Sequence, residues 1–149
     1  MKSKSLTLYN VIFPVFAIWL IIPQIFILVL LGNLIIDGAV ISLGLFLNKA
    51  KVKVKKTLEF ILKAWLFGLF ADICGALLLF FIPVESINIW NDKLSLFVHV
   101  GVVLLFGYII FLFNYHMLKK HKLEEGICLH VALGMGIITA PWFFLVPLY

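Results

Sequence analysis

From Leu6 to Asn48 the chain is mostly apolar and carries a single charged side chain, Asp37. A soluble helix or strand needs a polar face, and this run has none wide enough. It is too long for one bilayer crossing of about 20 residues and suits two crossings joined by a tight turn. Composition extends the same reading to the whole chain. Of 149 residues, 64% are hydrophobic and 13% charged, with a mean hydropathy of +1.20, against roughly 45–50% apolar and 25% charged in soluble domains. The expected fold is all-α: one integral membrane domain, a bundle of about five transmembrane helices, with no room for a separate soluble domain.

Every basic residue is a lysine, and the lysines are unevenly placed. Lys2 and Lys4 precede the first apolar run. Lys49, Lys51, Lys53, Lys55 and Lys56 follow the second, Lys63 lies just inside the third, and Lys119, Lys120 and Lys122 follow the fourth. Only Lys93 falls on the other side. The positive-inside rule then predicts a cytoplasmic amino terminus, two cytoplasmic lysine-rich loops and an outer carboxyl terminus, in a multi-pass protein of the cell membrane. With so one-sided a bias, subunits of any oligomer should lie parallel.

Taken in order, MKSKSLTLYN has the charged start of a signal peptide, but no small-x-small cleavage site follows, and an uncleaved first span over about 6–22 is expected. The second span is predicted over 25–48, with the turn at Pro23-Gln24. An alternative turn at Gly32-Asn33 leaves a second span short enough to be broken or re-entrant. Spans at about 58–82, 94–118 and 127–146 complete the bundle. Glu85, Trp90 and Asp92 fall in the outer loop, and the aromatics of the terminal PWFFLVPLY suit an interfacial belt. The loop 49–56, bounded by Lys49 and Lys56, reads as a stop-transfer signal that also meets anionic lipid headgroups. The bilayer is the expected environment, and no nucleic-acid partner is expected.

Asp37 and Asp72 are the sharpest functional signal. A carboxylate within a span costs about 2.5–3.5 kcal/mol on insertion scales and needs a partner, water or a proton. At roughly 100° per residue, Asn33, Asp37, Gly44 and Asn48 fall within about 60° of one another, one polar stripe on an apolar rod. Asp72 borders a second stripe of small residues, Ala64, Gly68, Ala71 and Gly75, which predicts close helix packing. Helical rise puts Asp37 about 18 Å from the outer start of its span and Asp72 about 21 Å from the inner start of its own, so both lie near mid-membrane. On antiparallel neighbours they can share a proton or hold a cation. LIIDGAVISLGLFL and LFADICGALLLFF also echo each other in helices of opposite direction, as inverted repeats do.

Other polar residues add to this pattern. His99, with Ser95 one turn before it and Asn114 on the same broad face, can continue a polar path from outside. His130 is expected to be packed and hydrogen-bonded. His116, His121, Glu124 and Glu125 have metal-compatible types but no recognised ligand spacing, so a solvated loop is expected and no metal. Cys74 and Cys128 lack a C-x-x-C pairing and read as structural thiols. No nucleophile elbow, zinc-protease or phosphate-loop motif occurs, no arginine offers a bidentate phosphate fork, and neither an enzyme nor a cofactor is expected. The sequence reading is therefore a small channel or transporter for a cation or proton. Asp37 and Asp72 form its site, Asn33, Asn48 and Asn114 line the path, and His99 modulates entry. A parallel homo-oligomer is expected, since five helices make a thin pore wall. The alternative is a non-catalytic accessory, assembly or immunity-type protein, whose polar and small-residue faces bind another membrane protein.

Overall fold

The computed structural model describes residues 23–81 and 93–145. The predicted first span, 6–22, and the loop residues Glu85, Trp90 and Asp92 lie outside the described residues. What is described is all-helical: α1 (Pro23–Leu47), α2 (Val54–Phe81), α3 (Lys93–Lys120), α4 (Glu125–Ile138) and a 3₁₀ turn, Trp142–Leu145. Among the described residues, three segments are long and apolar enough to cross a membrane: Ile27–Leu47, Val54–Leu79 and Lys93–Lys120.

α1 is described from Pro23 onward, and Pro23 and Gln24, the expected turn residues, are helical. It runs without a break through Gly32 and Asn33, so no turn lies there. At its other end Lys49 adopts a left-handed conformation, φ 51°. Lys49 N donates to Phe46 O at 2.9 Å and Ala50 N to Leu45 O at 2.9 Å, the pair of bonds of a Schellman cap. Lys122, beyond the end of α3, is also left-handed at φ 59°. Both turns close the same end of the bundle, rich in lysine.

The helices form a ring in which α1 packs on α2, α2 on α3, α3 on α4 and α4 on α1, with no diagonal contact among the described helices. Neighbours are antiparallel. The Phe60 ring meets His121 at the lysine-rich end, Phe67 stacks on Phe113 with centroids 3.8 Å apart, and Gly75 faces Phe106 further along. α3 buries Ser95, His99, Val102, Phe106, Ile110, Asn114 and Met117, a spacing of three and four that keeps one helix face inward. The tightest approach is between α3 and α4. A Cβ on Gly107 would stand 2.8 Å from Gly136 O, and one on Gly136 would stand 2.8 Å from Gly107 O, so the absence of side chains lets the two backbones touch.

The small-residue stripe of α2 faces inward but admits side chains. Ala64 and Ala71 are buried in the core. Gly68 lies beneath the Asp37 carboxylate, and Gly75 takes the rings of Phe144 and Phe106.

The last predicted span differs from what is observed. α4 ends at Ile138 after 14 residues, about 21 Å of rise against a hydrocarbon core of about 30 Å. Pro141 has no amide to give to Ile137, and it disfavours helical geometry at Ala140 before it. Thr139 closes the end instead: its amide and hydroxyl both donate to Met135 O, at 3.0 and 2.7 Å. The chain then forms the 3₁₀ turn, which packs against α3.

Candidate functional site

Asp37 and Asp72 line one partly open cavity of about 190 Å³, flanked by α1, α2 and the broken end of α4. Asp37 is 4% exposed. A Cβ on Gly68 would stand 3.7 Å from Asp37 Oδ2, which sets these two residues at the same height on antiparallel helices. One turn along each helix on the same face come Asn33 on α1 and Asp72 on α2, and both also line the cavity. The four-residue steps from Asp37 to Asn33 and from Gly68 to Asp72 therefore build the site by register alone.

Neither carboxyl group has a hydrogen-bond or ion-pair partner among the described residues. Lys63 is occupied elsewhere, paired with Glu59 one turn back on the exposed face, its stem laid along the helix. Helix α4 adds to the negative potential, because the C-terminal end of a helix carries partial negative charge. Ile138, Thr139, Ala140 and Pro141 all line the cavity. The Trp142 amide, which a continuing helix would give to Ile138, bonds Ala140 O at 2.7 Å instead, and the Ile138 carbonyl lacks that bond.

No protein-family model matches the chain, and neither a curated protein nor a solved structure matches it.

Of the polar residues expected in a path, Asn33, Asp37 and Asp72 come together, and Asn48, His99 and Asn114 stand apart from that cavity. Asn48 ties the ends of two helices: its Nδ2 donates to Gly44 O at 2.7 Å, and its Oδ1 lies 3.1 Å from Nδ1 of His130 on α4. His99 is buried, with Nδ1 2.8 Å from Ser95 O. A carbonyl only accepts, so Nδ1 carries the proton and donates. Asn114 donates Nδ2 to Ile110 O at 2.9 Å, while its Oδ1 is buried with no hydrogen-bond partner among the described residues. The charged residues near the turns are also divided among separate contacts. Lys56 Nζ lies 2.9 Å from His121 Nδ1, and Glu125 accepts from Tyr115 Oη at 2.7 Å and Lys119 Nζ at 3.3 Å. The Tyr115 hydroxyl, then the Lys119 ammonium, hold the Glu125 carboxyl below the usual range.

Trp65, Thr139 and Pro141 belong to the cavity wall but escape a reading by charge. Trp65 donates Nε1 to Leu30 O at 3.0 Å and so fastens α2 to α1 beside the aspartates. The signal for the helix break is present in the sequence as Thr139-Ala140-Pro141 inside an apolar run, since a proline there ends or kinks a helix.

Proposed function

We propose that this chain is a multi-pass protein of the cell membrane that conducts or carries a cation or proton, with Asp37 and Asp72 as its site. The observation that carries the reading is their shared cavity, beside a helix that stops short of a full crossing. Broken helices whose C-terminal carbonyls face a cavity are a recurring means of coordinating a cation within a bilayer. In this reading the lysine-rich turns are cytoplasmic and hold anionic lipid. Residues 6–22 supply a first crossing. α4 and the 3₁₀ turn together form a broken fifth: about 21 Å and about 8 Å of rise approach the thickness of the core. Asn48, His99 and Asn114 belong to the approach to the site, and no catalytic step is assigned. Among the described helices α1 is the least covered, with Ile27, Leu28, Leu31, Ile35, Leu43 and Phe46 exposed, and it offers the face for a parallel second copy.

The test is ion and proton flux in proteoliposomes, comparing the unmodified protein with Asp37→Asn and Asp72→Asn after gel filtration has established that each variant is folded. Flux that either substitution abolishes supports the reading. An unmodified protein silent across ions and pH sinks it. The exposed face of α1 also favours a second reading, a non-catalytic accessory or immunity-type protein that docks on another membrane protein. That reading requires co-purification with a partner, and a protein stable and active alone rejects it.

A further inference from the structure

The cavity wall is unusual in what it withholds. The Trp65 N–H is committed to Leu30 O at 3.0 Å, the Trp142 N–H to Ile137 O at 2.6 Å, and the Thr139 hydroxyl hydrogen to Met135 O at 2.7 Å. Among the described lining residues, only the Asn33 side-chain amide is left as an uncommitted side-chain donor. Acceptors are plentiful: two carboxylates, the Thr139 oxygen and the Ile138 carbonyl. An anion finds almost nothing to bind.

The rest of the wall is apolar. Ile36, Leu69, Ala140 and Pro141 line it, together with Trp65 and Trp142. Because both indole N–H groups are turned to backbone carbonyls, the tryptophans border the cavity with their carbon surfaces. Size matters too, for the 190 Å³ of the cavity is several times the roughly 30 Å³ share of one water. A bare metal ion held by the carboxylates would leave most of this space as water against hydrocarbon. An ammonium with short hydrocarbon arms satisfies both parts of the wall at once. Its charge meets the carboxylates and its arms meet the carbon surfaces of the indoles, a residue type that also attracts substituted ammonium ions by cation–π interaction. Asp37 is more than nine-tenths buried and unpartnered among the described residues, so a cation bound beside it would stabilise its ionised form.

We infer that the Asp37–Asp72 cavity binds a small organic cation, a substituted ammonium ion, in preference to an inorganic one. The inference rests on the cation reading above and names its substrate class. The carboxylates supply the charge, Trp65 and Trp142 the aromatic wall, and Ile36, Leu69 and Pro141 the surface for the hydrocarbon arms.

The experiment uses the full chain in lipid nanodiscs and radiolabelled tetramethylammonium, measured by equilibrium dialysis, with sodium and potassium chloride as competitors. The expected result is saturable binding that excess unlabelled tetramethylammonium displaces and a matching excess of either salt does not. Asp37→Asn and Asp72→Asn weaken it roughly tenfold or more, and Trp65→Leu by a factor of about 3 to 30, while Trp65→Phe, which keeps a ring, retains most of it. The competition experiment needs no variant, so it decides the matter even where a substituted chain misfolds. Absence of tetramethylammonium binding, alongside sodium, potassium or proton flux that Asp37→Asn abolishes, overturns the organic-cation inference and leaves the transport reading standing. Absence of both binding and flux overturns both. Binding indifferent to the two Asp→Asn changes in folded protein places the ammonium elsewhere and also overturns the inference.

Discussion

Gly107 and Gly136 each meet the other's carbonyl oxygen, so a methyl group at either position strikes backbone that cannot rotate away. Gly136→Ala should destabilise the bundle by about 1–3 kcal/mol, as overpacking does. Gly32 and Gly101, where a Cβ meets nothing within 4 Å, provide the control: alanine there should be neutral or stabilising by up to about 1 kcal/mol. Thermal unfolding in detergent separates the two, and equal melting temperatures for Gly136→Ala and Gly32→Ala would remove the close-contact argument. Lys49 and Lys122 pose the opposite case, side chains in a left-handed conformation that favours glycine. Lys122→Gly should stabilise by about 0.5–1 kcal/mol, the relief of strain less the greater freedom of glycine in the unfolded chain. The lysine keeps positive charge at a helix C-terminus, where the dipole favours it. Glu125 gives a pH expectation of definite sign. Its carboxyl lies below the usual range because Tyr115 and Lys119 bond the ionised form. The link between α3 and α4 should therefore be present above the usual carboxylate range and be lost as pH falls through the lowered value. Carboxyl NMR titration checks this, and a Tyr115→Phe variant should move the midpoint upward.

At the scale of the element, the decisive feature is the early end of α4. Pro141→Ala restores an amide, which can compete with Trp142 Nε1 for Ile137 O. The expectation is another turn of helix through residues 139–142, seen as slowed amide exchange there, with flux reduced because the wall of the cavity is displaced. An unchanged helix end would assign the break to the tertiary contacts of the 3₁₀ turn, with Phe144 seated on Gly75. The sequence signals were of unequal use here. Asp37 and Asp72 stood out because a carboxylate in an apolar run is costly wherever it occurs. The small-residue stripe announced close packing, but not whether backbone, ring or carboxylate would fill the space. Pro141 was visible in an aromatic segment that equally suits a membrane interface, and periodicity is silent where every position is apolar.

For the whole molecule, hydropathy and a one-sided distribution of lysines were enough to predict a helical membrane domain, because every backbone polar group in hydrocarbon must be satisfied within the chain. The identity of the polar residues, and their four-residue spacing along α1, also belong to the sequence. The rotation of each helix about its axis does not, since a span apolar all round has no preferred inward face. Tertiary structure decided it: Gly68 lies under Asp37, the four-residue steps bring Asn33 and Asp72 to the same cavity, and the end of α4 closes the third side. The same packing sets Asn48, His99 and Asn114 in separate contacts. Three helices had to meet before the two aspartates lined one cavity, and contacts between helices arise from packing and register, which no local pattern in a uniformly apolar chain encodes.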